Sequence, residues 1–427
     1  MRKFNSLFSQ LLRLFPRSEF ERSVSKHEAE RGAKGFDCWT QFIAMLFCQL
    51  GRAHSLREIC GGLASVEGKL NHLGVGRSPA RSTLSYANAH RPHALFQEVF
   101  MQLLGRCQAI ASPKPFRFKH KLYSLDATVI DLCLEMFDWA KFRRAKGAIK
   151  LHLLLDHDGC LPCYAVLTEG KTHEIRVART LKWPPGSIVA MDRGYVDYAF
   201  LDSLGLQGVF FVTRLKENAI FTLEAELSPP KGNILADHMI NLPGSGKNAQ
   251  EFRLLRRVVV SDPLGKREIA LLTNNLKLAA STIAAIYKQR WQIELFFKAI
   301  KQNLKIKTFV GTSANAVHIQ IWTALISILL LKYLQMRSRL AWSPSNLVAL
   351  LATGCNLPNR PVKQSLGNKQ TICCQLFPRV GMRLSPLRFM GRFRVPCTPG
   401  QEKSCNFRRR ARLNLPDASC CDGNQPA

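Results

Sequence analysis

Between Leu122 and Thr213 the chain alternates short β-type runs with turns and one helix-like stretch, and this succession confines it to a mixed α/β domain. Leu122 to Leu134 is rich in β-formers, and Ala148 to Leu155 and Cys163 to Leu167 follow as strands joined across the turn-like Asp156-His-Asp-Gly159. Ser187 to Asp192 reads as a short buried strand that ends in an acid. A helix-like segment then leads to Gly208-Val-Phe-Phe-Val-Thr213. From about residue 214 to 270, turn-rich pieces surround the strand Arg256-Arg-Val-Val-Val260, the pattern of a β-rich insertion. Gly244-Ser-Gly-Lys247 is assigned to a surface loop, because Asn241 and Asn248 stand where a phosphate loop needs glycine and Ser/Thr.

The flanking regions differ. Residues 1–112 read as helical: Phe42, Leu46 and Leu50 recur at helical spacing, Ser55-Leu-Arg-Glu58 resembles a capping box, and Ser82 to Leu104 gives a further helical stretch. Lys and Arg outnumber acids here, so a DNA-binding module is one reading, with Ser78 to Thr83 opening a recognition helix, and an ordinary bundle the other. Residues 336–427 begin with a helix from Ser345 to about Leu351. Beyond about Ala352 periodicity fades, arginine, proline and cysteine crowd in, and Arg408-Arg-Arg410 appears. The tail reads as a basic, disordered DNA-contacting segment or, slightly better, as out-of-frame translation.

Charge narrows the function. A formal net charge of +31 over 427 residues favours nucleic acid or an anionic membrane. The longest apolar run, Ile319 to Leu331, carries Gln320, Thr323 and Ser327 and is shorter than the ~20 residues that span a bilayer, so a buried helix is expected. No secretory signal is evident in the first twenty residues, and the chain reads as intracellular. The close pair Cys160 and Cys163 has no second pair at zinc-finger spacing, so packed, reduced thiols are expected.

One helical segment concentrates chemistry. At about 100° per residue, Arg290 falls about 60° from Tyr287, Glu294 about 20° and Lys301 about 40°, with Lys298 and Lys305 in the same arc. Ile286, Ile293, Phe297, Ile300 and Leu304 form a neighbouring apolar stripe, and Ser281 can cap the helix. The bland reading is a solvated face with a Glu294–Lys298 pair. The sharper reading adds Asp126, within a β-rich run, and Asp192, at the end of a buried strand. Three carboxylates brought together repel one another unless a cation neutralises them, and Mg²⁺ suits such a site because it keeps positions for water and phosphate. Two ions could serve an in-line displacement at phosphorus. Turn or cap roles explain the competing acids Asp131, Asp156, Asp158 and Asp197. Trp291, about 40° from Tyr287, is expected in the core rather than on a substrate.

The order Asp126, Asp192, Glu294, together with Tyr287, Arg290, Glu294 and Lys301 at separations of three, four and seven, resembles the DDE transposases of the IS-four insertion-sequence family. Ser124-Leu-Asp126-Ala-Thr128 and Asp192-Arg-Gly-Tyr195 resemble the segments around the first two acids, and Gly35 to Leu50 with Ser55 to Ile59 resembles the domain preceding the core in one branch. The match covers roughly residues 5–352. It implies an α/β, ribonuclease-H-like core at 113–335, with its β-rich insertion, preceded by a helical DNA-binding domain at 1–112. It implies Asp126, Asp192 and Glu294 as ligands of two Mg²⁺ ions (Mn²⁺ substituting), and Tyr287, Arg290, Lys298 and Lys301 on DNA. It also implies end hydrolysis, a hairpin and strand transfer, performed in the bacterial cytoplasm at the nucleoid by a homodimer assembled on double-stranded DNA at terminal inverted repeats and a target. Two other classes stay open: a transposase remnant or DDE-fold nuclease, and a non-enzymatic basic DNA-binding protein.

Overall fold

The computed structural model describes residues 11–347 apart from 13–14, 66–70, 72–73, 113–119, 133–135, 144–145, 243–253, 262–267, 304–308 and 338–345. The tail, the loop at 244–247, Leu304 and Lys305 lie outside the described residues, as does the expected helix at 345–351 except for residues 346 and 347.

Among the described residues, the helices α1 (Arg17–Lys26), α2 (Cys38–Leu50), α3 (Leu56–Ala64), α4 (Arg81–His90) and α5 (His93–Gln108) precede the sheet. Asp37 starts α2 by accepting from Thr40 N at 2.8 Å, and every residue of α2 is buried. Ser55 starts α3: its hydroxyl accepts from Glu58 N at 3.2 Å, while the Glu58 carboxylate accepts from His54 N at 2.9 Å. This is the expected capping box with its return bond shifted one residue outward. Ser55→Ala is expected to lower stability by about 1 kcal/mol in urea unfolding. The helical stretch expected from Ser82 to Leu104 is two helices. Pro92 lacks the N–H that would continue α4, and Asn315 takes up the freed groups, donating to the Asn88 and Arg91 carbonyls at 2.9 and 2.7 Å and accepting from His93 N at 3.2 Å.

Asn315 lies in the first turn of α10 (Ala314–Arg337), which packs on α2 and α5. By length and composition this 24-residue helix could cross a membrane. It is longer than the apolar run expected from the sequence, and the run Ile319–Leu331 is buried without a break. Two of its polar side chains are satisfied within the helix, Thr323 donating to Ile319 O at 2.6 Å and Ser327 to Thr323 O at 2.8 Å, while Gln320 Oε1 accepts from Val310 N at 2.9 Å. A single apolar cluster joins α1, α2, α5 and α10 to one face of strands β1, β3 and β4.

Those strands belong to a ten-stranded mixed sheet ordered β2-β3-β1-β5-β6-β10-β9-β8-β7, with β4 also on β3 and β2 formed by Lys141–Arg143. The strands β1 (Leu122–Leu132), β3 (Lys146–Asp156) and β4 (Leu161–Glu169) form an antiparallel set, while β5 (Ile188–Met191) runs parallel to β1 and β6 (Phe210–Arg214) parallel to β5. The hairpin between β3 and β4 turns at Gly159 and Cys160, at φ +72° and +52°. Short α6 (Glu174–Ala178) and α7 (Tyr198–Leu206) belong to the core on one face, with Val189 and Met191. Ile188 and Ala190 alternate to the other face, toward α8 (Ala280–Gln289).

The insertion is a continuation of this sheet. The strands β7 (Thr222–Glu226), β8 (Ile234–Asn241), β9 (Leu255–Ser261) and β10 (Glu268–Thr273) pair antiparallel in series, and β10 closes on β6. Within it Arg256 binds Asp237 through two bonds of 2.7 Å, Ser228 donates to the same carboxylate at 2.5 Å, and Arg256 Nη1 donates to the Leu278 carbonyl at 2.5 Å. One buried guanidinium therefore ties the insertion to the loop entering α8. That loop, rather than Ser281, starts the helix: Ala279 is its cap residue, without a side-chain bond, and Ser281 lies inside the first turn.

Candidate active site

β1 and β5 pair as far as Leu125 and Met191. Asp126 and Asp192 come one residue further along each, so strand spacing makes them lateral neighbours about 5 Å apart. Asp192 keeps an extended backbone, φ −77° and ψ 166°. Its parity matches Ile188 and Ala190, as that of Asp126 matches Leu122, so both acids turn toward the α8 face.

The segment expected to run as one helix is divided at Arg290 into α8 and α9 (Trp291–Asn303). Arg290 N bonds Tyr287 O, and Ile293 N bonds Arg290 O, both at 3.1 Å; these three-residue links tighten the chain at the junction. The apolar stripe holds, since Ile286, Ile293, Phe297 and Ile300 are buried. Trp291 does not follow expectation: at 55% exposed it projects from the junction instead of packing.

Arg290 itself is turned inward. Its Nη1 stands 3.4 Å from Asp126 Oδ2 and its Nη2 2.6 Å from Glu294 Oε1. Glu294 therefore meets Arg290 at the distance where a solvated face would have offered Lys298, which is exposed. Lys301 Nζ donates to the Val129 carbonyl at 3.0 Å, fixing α9 over β1. Tyr287 is buried with two guanidinium groups over its ring, Arg214 at 5.5 Å and Arg290 at 5.6 Å. The five expected positions Asp126, Asp192, Tyr287, Arg290 and Glu294 thus converge, Lys301 borders them on β1, and Lys298 stands out in solvent.

Burial pushes the Asp126 carboxyl up to about 6 against the pull of the Ala127 N–H and of Arg290; the charges of Asp192 and Glu294 push in the same direction as burial. An acid that holds its proton more tightly folded than unfolded loses stability as pH rises between the two values. For Asp126 that window runs from about 4 to about 6. The stability of the metal-free protein relative to Asp126→Asn should fall across that window and level off above it, as read by urea unfolding at fixed pH steps. A flat difference would contradict the shift.

Among the described residues, no three His, Cys, Asp or Glu side chains stand close enough to close on one metal ion. In kind the donors fit a divalent cation well: three carboxylates, two of them adjacent and acting on each other's charge, now balanced by a guanidinium. Buried Nε atoms of Arg290 and Arg214 lack partners among the described residues, polar groups left for a ligand.

The competing acids take structural work. Asp197 caps α7 through Phe200 N at 2.8 Å and pairs with Arg179 at 2.8 Å. Asp156 accepts from Asp158 N at 2.9 Å in the hairpin turn and pairs with Lys121 at 2.9 Å, and Asp131 is exposed. Cys160 and Cys163 are free thiols, and Cys163 Sγ donates to the Leu154 carbonyl at 3.3 Å. Two neighbours carried no sequence signal of their own, and a third stands in the motif Asp192-Arg-Gly-Tyr195 without having been assigned a role. Arg214 ends β6, and Glu174 pairs with Lys150 at 3.3 Å and lies so near Gly194 that a Cβ there would stand 3.3 Å from its Oε2. The third is Tyr195, three residues beyond Asp192, with a buried hydroxyl.

The family profile described as a transposase DDE domain matches residues 117–330, and one described as a domain of unknown function (DUF4372) matches residues 3–76. A protein named as a transposase in Sinorhizobium fredii is 33% identical over 281 residues, which is 64% of this chain and 77% of that protein. A protein named as a transposase for insertion sequence element IS5377 of Geobacillus stearothermophilus is 28% identical over 256 residues, 59% of this chain and 67% of that one. A solved piggyBac transposase synaptic complex with hairpin DNA aligns at TM-score 0.40 and 10% identity, over 90% of this chain and 88% of that one, a likeness too slight to argue from.

Proposed function

This chain belongs to the DDE transposases and is a DNA-acting enzyme of insertion-sequence type, and on that premise we propose that it moves its element by a cut-and-paste route. The observation that carries the proposal is the convergence of Asp126, Asp192 and Glu294, with Arg290 between two of them, inside the matched domain. The strand order β4-β3-β1-β5-β6, antiparallel and then parallel, supports a ribonuclease-H-like core. The helical region 1–112 supplies DNA binding, with 113–335 as the catalytic core.

DDE chemistry depends on divalent metal, and Asp126, Asp192 and Glu294 would hold two Mg²⁺ ions, with Mn²⁺ as substitute. When bound, such ions stabilise the charge that develops on attacking and leaving oxygens at phosphorus. The chain's own part is positional. Arg290 neutralises Asp126 and Glu294 beforehand, and with Tyr287, Lys298 and Lys301 it holds the terminal nucleotide and its phosphate. Water cleaves the element end, the freed 3′-hydroxyl attacks the opposite strand to close a hairpin and release the flanking DNA, a second water hydrolyses the hairpin, and the regenerated 3′-hydroxyl attacks target DNA. A homodimer assembled on the terminal inverted repeats, in the cytoplasm at the nucleoid, would bridge the two ends.

Labelled element-end DNA incubated with purified protein and Mg²⁺ or Mn²⁺ tests the route. Nicked, hairpin and strand-transfer products are expected in that order. Binding without cleavage under either metal would point instead to a remnant.

A further inference from the structure

The inner face of α4 packs on α2, α3 and α10, and its Leu84, Ala87 and Asn88 are buried. Asn88 Oδ1 accepts from Gln41 Nε2 at 2.8 Å and the Asn88 carbonyl accepts from Asn315 at 2.9 Å, so α2 and α10 both fix how α4 is turned. The outer face carries Arg81, Ser82, Ser85, Tyr86 and His90, all exposed and all within about 180° of arc. Tyr86 is 67% exposed and lies flat on His90, with ring centroids 4.0 Å apart and planes 22° apart. Among the described residues, the side chains of Arg81, Ser82 and Ser85 enter no hydrogen bond or ion pair. A firmly held helix thus presents polar groups that do nothing for its own fold.

Charge selects what they meet. Residues 68–97 contain no Asp or Glu, and exposed Arg77 stands four residues before Arg81, so the complement is a polyanion. Ala80 caps α4 without a side-chain bond, which leaves first-turn N–H groups open to a phosphate as well. Ten residues of helix measure about 15 Å, and a major groove about 12 Å wide admits such a helix. Arg81, Ser82 and Ser85 lie in its first half, the part of a recognition helix that reaches base edges.

We propose that α4 is the helix that reads the element ends, entering the major groove so that Arg81 and Ser85 meet base edges while Tyr86, braced by His90, packs on the groove wall. The inference rests on the reading of this chain as a transposase whose helical region binds its element ends.

Fluorescence anisotropy of the full chain without divalent metal tests it, with a labelled duplex carrying the element's own end and a scrambled duplex of equal length. Arg81→Ala should lower affinity for the end by about 10-fold and for the scrambled duplex by about 2-fold, so that the preference collapses. Arg81→Lys keeps the charge but loses the planar fork, and should lose the preference too. Tyr86→Ala should weaken end binding by about 5-fold. Thermal midpoints should stay at the wild-type value because both side chains are exposed, and kcat at saturating end DNA should hold. Retained preference in Arg81→Ala or Arg81→Lys would overturn the proposal, as would a lowered midpoint, which would make this face structural. A wild type that neither prefers the end nor cleaves it under Mg²⁺ or Mn²⁺ removes the transposase reading and this proposal with it. A wild type that does both, beside an Arg81→Ala that keeps its preference, removes the role of α4 alone.

Discussion

Asp126→Ala should lower metal-dependent cleavage of element-end DNA by about 10³-fold or more while DNA binding stays within about 2-fold. The size follows from what is removed: a ligand of ions that contribute several kcal/mol to charge stabilisation at phosphorus, where about 4 kcal/mol corresponds to three decades of rate. Asp192→Ala and Glu294→Ala should match it. Binding is spared because the phosphate contacts come from cations that these changes leave in place. Glu294→Ala adds a second consequence, since it strips Arg290 of its 2.6 Å partner and leaves the 3.4 Å contact to Asp126. The Asp126 carboxyl should then keep more of its guanidinium support, and its apparent pKa, read from the pH dependence of stability, should drop below about 6. Cleavage undiminished in Glu294→Ala would sink the site assignment.

Asp237→Ala should destabilise the protein by about 3–5 kcal/mol, measured by urea unfolding. Asp237 is fully buried and Arg256 5% exposed, so removing the acid strands a guanidinium that cannot reach water. Burial works to raise the Asp237 carboxyl, yet Arg256 and Ser228 hold it below the usual range. Its contribution is therefore complete near neutrality and is lost as pH falls through the depressed pKa. The damage should spread, because the same guanidinium donates to the Leu278 carbonyl in the loop entering α8. Replacing Asp237 and Arg256 together by apolar residues of similar size should cost far less than Asp237→Ala alone.

Much of the site could be read from the chain because its residues sit where periodicity is strict. Asp192 ends a run of buried β-formers, Asp126 lies in another, and parity alone sends both to one face. Periodicity misleads where a local exception decides the geometry. Even helical spacing from Tyr287 to Lys301 could not reveal the break at Arg290, which comes from two tightened backbone bonds and turns Trp291 outward and Arg290 in. The split at Pro92 was legible in principle, but Asn315, more than 220 residues away, is what satisfies it. Glu174 and Arg214 come near through sheet topology, for which linear spacing has no mark.

The pairing of β10 with β6 has a consequence for how this protein could change over generations. An appendage hung on a loop can be clipped out, leaving the loop to close behind it. Here excision would leave the outer edge of β6 bare, with a row of open backbone donors and acceptors two strands away from Asp126. Any shortened descendant would have to grow a new neighbour for β6 at the moment it lost the old one. The insertion is in that sense an irreversible acquisition, and shorter relatives of this architecture should still keep a strand in the place of β10.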